Sequence, residues 1–340
     1  LNCAENRLSA SDDSGAAALY GDLYNAEVPP AIRTAAWRGL VLSDDEQRPG
    51  LVVKALSGKD EQLRLVALKL VRKTKDEQLI KACLQQWNSL AASAQQAVLD
   101  GHLQFGAEAL STIRTASKSP HPQVRIAAWQ ALADLSDPSM IPALAQAAAK
   151  GQPAERQAAR DTLSRIHGPG VRQALLAYLK QAETARKVEL LLAVGKRDDT
   201  AAAPMLLKYA NAPQETIRLA ALESLRRLAV ADTLLPLLDL VVTSKSDSDR
   251  NAVLKALYAV CQATDDKDQV SRQVIAAMNR LPASERRYAL PLLLEIATPE
   301  ALTEMLKSTQ NSDAQLVRES IRLLTQWPNA APAEKLFEIT

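Results

Sequence analysis

Three histidines, three cysteines and two runs of acids are the residues of this 340-residue chain best suited to hold a metal or attack a substrate. A metal site needs ligands brought together by short, paired spacings. His102, His121 and His167 are followed by Leu103, Pro122 and Gly168, and none has a second histidine or an acid at ligand spacing. Cys3, Cys83 and Cys261 lie far apart without a C-x-x-C pair, which excludes a cysteine-pair zinc site and favours free buried thiols over a disulfide framework. Asp265, Asp266 and Asp268 lack the D-x-[DN]-x-[DN]-G order and the bidentate glutamate of a calcium loop, so they predict a solvated insertion turn. "HGPG" (167–170) is one glycine short of a phosphate-cradling fingerprint, and there is no G-x-S-x-G elbow. These residues predict no catalytic group, no cofactor and no metal: a chain that is not an enzyme.

Basic residues leave a different possibility open. Eight to eleven positions after a recurring arginine stand Arg72 with Lys73, then Arg165, Lys196 with Arg197, and Arg226 with Arg227. The last three sets come from consecutive repeats and predict a basic ridge of Arg165, Lys196, Arg197, Arg226 and Arg227. Such a ridge suits an acidic protein, a glycan or a nucleic-acid backbone. Helix C-termini also favour cations by about 0.3–1 kcal/mol, which accounts for the same placement without a ligand. Lys and Arg total 41 against 39 acids, so the global charge of +2 gives no reason to expect nucleic acid.

The elements that must carry these residues come from a repeat. "HPQVRIAAWQAL" (121–132) returns as "PAIRTAAWRGL" (30–40) and "ETIRLAALESL" (215–225). Its anchors are Arg33, Arg64, Gln95, Arg125, Arg156, Arg186, Arg218, Arg250, Arg287 and Arg318, most of them 30 to 32 residues apart and one pair 37 apart. Lys187 and Arg286 are alternative anchors beside Arg186 and Arg287. Val124, Ala128, Leu132 and Leu135 lie on one helical face, and Ala127, Ala128 and Ala131 let a neighbouring helix come close. Breakers such as "SPHP" (119–122), "GQP" (151–153), "NAPQ" (211–214) and "QNSD" (310–313) divide each unit into two helices. With 11 glycines, only 4% aromatics and an Ala/Leu/Val-rich apolar content, the composition is that of an all-α protein. Trp37 and Trp129 share a position four past the anchor, occupied elsewhere by Leu68, Leu99, Leu222 and Leu254, and are expected in the core.

The "VR-x-AA-x-x-AL" helix resembles that of the HEAT-repeat family, in its short bacterial variety. The resemblance spans nearly the whole chain. It implies an armadillo-type fold: a right-handed α-α superhelix, or solenoid, of about ten hairpins forming one array over 1–340. At roughly 8–10 Å per packed helix, ten units reach about 90 Å. It also implies that turn acids and the anchor arginines form a structural ladder. Asp60 and Asp313 have the family's spacing before Arg64 and Arg318, whereas His121 replaces the acid before Arg125. "AALYGDLYN" within the atypical first hairpin (1–40) is similar to a tetratricopeptide helix, and 328–340 resembles the start of a further first helix. "QATDDKDQ" (262–269) should absorb the 37-residue gap as a longer turn.

The function implied is a non-enzymatic scaffold for protein–protein or interdomain binding, expected to be a segment of a longer bacterial protein. Alternatives are an accessory array of an extracytoplasmic enzyme acting on sugars or carrying a haem domain, and a nucleic-acid-binding repeat protein. The expected partner is a protein or an adjacent domain of unspecified identity, with no membrane span. The opening "LNCAENRL", without a methionine, leans the expected location to the bacterial periplasm, with the cytoplasm as alternative.

Overall fold

A computed structural model describes residues 1–339, and these are all-helical, with no strand. Their twenty-three α-helical segments resolve into ten hairpins, a leading helix Asn2–Ser9 and a trailing helix Ala333–Ile339. The remaining segment arises because one second helix is in two pieces, Ala283–Arg286 and Leu290–Ile296. Pro291 explains the break: it has no N–H for the Arg287 carbonyl, and its ring would collide with that carbonyl. Every anchor arginine except Arg287 lies inside a second helix.

The boundaries follow local chemistry. Asp60 caps Glu61–Arg72 by accepting from the N–H groups of Gln62 and Leu63, and Asp313 caps Ala314–Leu324 through Gln315 and Leu316. Pro30, Pro122 and Pro153 open second helices at the first helical position, where a missing N–H costs nothing. His121 occupies the N-cap position of Pro122–Leu135, yet its side chain makes no capping bond.

The 37-residue spacing is not taken up by a long turn, as the sequence suggested. Helix Asp247–Ala263 runs on through Gln262 and Ala263, and helix Lys267–Arg280 begins before Gln269, leaving three residues between them. Lys267 makes this continuous: its Nζ donates to the carbonyls of Cys261 and Gln262 at the end of the preceding helix. Asp266 caps the next helix through Gln269.

The chain divides into two compact units, Leu1–Ala174 and a second from Leu175 onward. In the first, Ala4, Ala16, Tyr20, Ala36 and Leu40 form a cluster under the leading helix, so Asn2–Ser9 covers an apolar face that the first hairpin cannot bury alone. Deeper in that unit, Trp37 and Trp129 are buried with Leu68 and Leu99, as core positions. Gly101 shows how closely the helices approach, because a Cβ there would lie 2.2 Å from the Val71 carbonyl oxygen. In the second unit Leu190, Leu222, Leu225, Leu237 and Leu257 fill the interior, and at Gly195 a Cβ would meet Ser224 at 2.6 Å.

Candidate protein-binding surfaces

The anchor arginines have unlike fates. Arg218 is 7% exposed, and its guanidinium makes two bonds to Asp249 (Nε–Oδ1 3.0 Å, Nη2–Oδ2 2.8 Å). Its Nη1 donates to the carbonyls of Ala212 and Pro213 in its own turn, so the buried charge is paired and solvated by protein. Arg125 does the same with Glu155 (2.6 Å) and the Ser119 carbonyl (2.6 Å). Arg33 reaches Asp60 at 2.8 Å. At Gln95 the rung is uncharged: the side chain donates to the Trp87 carbonyl and accepts from Ser119 Oγ.

The other anchors turn back on their own helix or away from any acid. Arg64 pairs with Glu61, Arg186 with Glu183 and the Tyr178 hydroxyl, and Arg250 with Asp247. Arg250 also stacks on the Tyr288 ring at 4.6 Å. Arg156 and Arg318 are exposed. Two arginines divide the work of the ninth anchor. Arg286 holds the Leu281 and Asn279 carbonyls, while Arg287 donates to Gln315 of the next hairpin and to the Tyr288 hydroxyl. Among the described residues no anchor arginine pairs with Asp313, whose carboxylate caps its helix.

The acids of two cross-hairpin rungs were not singled out in the sequence. Glu155 and Asp249 sit three residues into their helices, each directly before an anchor arginine. Glu155 is held below the usual carboxylate range by its bond from Arg125, against burial. At Asp249 burial pushes upward, but bonds from Arg218 and Ser246 outweigh it and leave the carboxyl depressed. First helices carry further rungs, Arg48–Asp76 (3.0 Å) and Arg114–Asp137 (2.6 Å), whose acids are readable only as helix-start aspartates.

The five basic-ridge candidates differ in how much charge they leave free. Arg226 and Arg227 both bind Glu223, Arg226 in two bonds of 2.7 and 2.8 Å and Arg227 at 3.0 Å. Lys196 is exposed at the end of its helix, and half-buried Arg197 caps it, its charge disfavoured by desolvation and supported by Asp199. Arg165 belongs to the first unit and lies 3.7 Å from Asp134.

A stronger concentration of unanswered charge lies in the first unit. Helices Pro30–Ser43 and Glu61–Arg72, with the leading helix as one wall, line an open groove of about 1420 Å³. Ala31, Ala35, Leu42, Val66 and Leu70 supply apolar lining, and Arg38, Lys69, Arg72, Lys73 and Lys75 supply cations. Arg72 has Asp100 at 3.4 Å, and lining residue Arg48 holds Asp76. Among the described residues no acid lies within ion-pair distance of Arg38, Lys69, Lys73 or Lys75, all exposed. The signal for this site was a repeat position: five past the anchor stand Arg38 and Lys69, then Asp100, Gln130 and Asp161 in the next three copies.

The histidines are dispersed. His102 is buried, bonded through Nδ1 to Thr112 Oγ1 at 2.6 Å, and desolvation lowers its pKa. His167 is exposed, with Nδ1 3.1 Å from the Arg165 carbonyl. Cys83 and Cys261 are buried free thiols, pushed by burial up to about 12 and about 11, while Cys3 is exposed. Asp265, Asp266 and Asp268 stay at the helix junction described above, and among the described residues no three His, Cys, Asp or Glu side chains group as metal ligands. No described helix is long and apolar enough to cross a membrane.

Residues 89–164 and 109–190 match the model of HEAT repeats. No curated protein matches the chain. Among solved structures, Kap121p bound to Ste12p is similar with a TM-score of 0.59 at 11% identity, over 94% of this chain and 43% of that one. Kap121p bound to Pho4p gives 0.57 at 11% identity with the same coverages. The karyopherin Kap121p bound to the extreme C-terminus of the protein phosphatase Cdc14p gives 0.52 at 10% identity, again over 94% and 43%. The chain thus spans less than half the length of these structural relatives, and at such identities the likeness is one of fold. Residues 89–190 carry HEAT repeats, and the fold of the chain is the all-helical fold of HEAT-repeat solenoids.

Proposed function

We propose that this chain is a non-enzymatic helical-repeat scaffold that binds a protein partner. The observation that carries the reading is the division of labour among the repeats. Where the anchor arginines form rungs they are spent between hairpins, whereas the exposed groove of the first unit is lined by residues that differ from copy to copy. Repeat arrays present such surfaces because each hairpin needs only its neighbours for stability, leaving the outer positions free to vary. Its structural relative Kap121p has been solved with Ste12p and with Pho4p bound, which supports partner binding as the use of the fold here. Fold alone does not fix function, so the partner must be captured directly.

The test is affinity capture from native extract with the purified chain as bait, followed by competition with untagged chain. A protein retained in stoichiometric amount and displaced by the competitor is the expected result. Retention of nothing above the bead background, at micromolar bait, would overturn the reading.

A further inference from the structure

The scaffold reading leaves the partner's chemistry open, and the groove of the first unit narrows it. We propose that this groove docks an acidic peptide segment bearing apolar anchors. The proposal rests on the scaffold reading and adds to it the class of partner and the place where it binds.

Charge complementarity is the first argument. Six cations line the concavity against two acids, Glu5 and Asp76, and Asp76 is held by Arg48. Among the described residues Arg38, Lys69, Lys73 and Lys75 have no acid in ion-pair range, so the field of the groove stays positive. A groove with low-dielectric walls concentrates such a field on whatever enters it. The apolar lining is the second argument. Leu42 is 51% exposed beside these cations, an arrangement that water penalises and an apolar anchor would relieve. The groove's volume, about 1420 Å³, exceeds the roughly 300–1,000 Å³ of pockets for small molecules. Laying an amphipathic segment into a groove with its apolar side inward is an established way to use such a surface.

Nucleic acid fits less well. Single strands bind by stacking bases on exposed aromatics along a basic track. Among the described residues Tyr20 is the one aromatic lining the groove, and it is 3% exposed. The charge is also local to the first two second helices, because Asp100 stands at the position that carries Arg38 and Lys69 in the preceding copies.

The experiment is a fluorescence-anisotropy titration of the full chain with a labelled peptide of about fifteen residues, roughly 22 Å as a helix, carrying Leu at i, i+3 and i+7 and Glu elsewhere. The wild-type chain should bind it, and R38E/K69E/K73E should lose at least about tenfold in affinity with an unchanged unfolding midpoint. If that variant does not fold, R38Q/K69Q/K73Q takes its place with the same expectation. Leu42→Ser should weaken binding about threefold, and a version with Lys in place of Glu should not compete. Undiminished binding by the charge variant, equal binding of the Lys peptide, or tighter binding of an oligothymidylate would each overturn the proposal. The groove fails by itself if the wild type ignores the peptide yet still captures a protein from extract. Capture of nothing at all is the separate failure of the scaffold reading.

Discussion

The rung at residues 218 and 249 and the groove around residue 38 are both built from arginine on second helices, yet their charges meet opposite surroundings. Arg218 is enclosed, with Asp249 and two carbonyls taking its donors. Arg38 stands exposed over an apolar-lined groove with three unpaired lysines for company. The difference is set by the next copy of the repeat. The hairpin after Arg218 offers an acid three residues into its second helix, whereas among the described residues Arg38, Lys69, Lys73 and Lys75 have no acid in ion-pair range. A cation answered by the next hairpin contributes to stability; one left unanswered is available to a partner.

The largest effect should come from the enclosed rung. Arg218→Ala strands a buried carboxylate and should cost about 3–5 kcal/mol in urea denaturation. Replacing both partners, as R218M/D249L, should recover most of that loss, since apolar residues of similar size need no charge compensation. If the double variant is as unstable as the single one, the ion pair is not the source of the effect. This rung and the one between Arg125 and Glu155 set the pH response. Asp249 and Glu155 have carboxyls depressed in the folded state, so their stabilisation is present above the usual carboxylate range. It should be lost as pH falls through the depressed values, and Arg218→Ala should remove the Asp249 share of this acid limb while leaving that of Glu155.

Groove substitutions should separate binding from folding. In R38E/K69E/K73E, stability should stay within about 0.5 kcal/mol of wild type, as expected for exposed, unpaired side chains. A loss above about 2 kcal/mol would mean that these cations are structural after all. The smallest effect is expected at the tandem Arg226 and Arg227. Because Glu223 already answers both, R226E/R227E should change acidic-peptide affinity by less than about twofold. Its stability cost should be a few tenths of a kcal/mol, from like charges placed three and four residues apart.

Much of the architecture was legible because it repeats. The spacing of the anchors located each second helix, and of the apolar face Val124, Ala128, Leu132 and Leu135 the first three are buried and Leu135 is half-buried. The 37-residue interval misled because Gln262, Ala263 and Lys267 are good helix formers. Lys267 could cap the preceding helix while belonging to the next, so the extra length became helix. Of the arginines expected in a ladder, Arg33, Arg125 and Arg218 meet an acid of the next hairpin, while Arg64, Arg186 and Arg250 pair with an acid three residues earlier. Asp60 and Asp313 both cap their helices, four and five residues before an anchor, but Arg33 reaches Asp60 and, among the described residues, no anchor pairs with Asp313. Which acid meets which arginine depends on how neighbouring hairpins pack, and local spacing does not encode that.

The groove was harder to see for a related reason. Arg72 and Lys73 were noticed as helix-end bases, but Arg38 and Lys69 lie mid-helix where a lone cation on a solvated face is unremarkable. Only stacking the first two hairpins, with the leading helix alongside, brings them to one concavity. In contrast, Arg226 and Arg227 looked like a prominent basic pair in the sequence until Glu223, one turn earlier, was seen to bind both.

The most direct test of this account is the affinity of one acidic amphipathic peptide for two charge-reversed chains measured side by side, R38E/K69E/K73E and R226E/R227E. The account predicts a loss of at least about tenfold in the first and less than about twofold in the second. Equal losses in both, or the larger loss in the second, would contradict it.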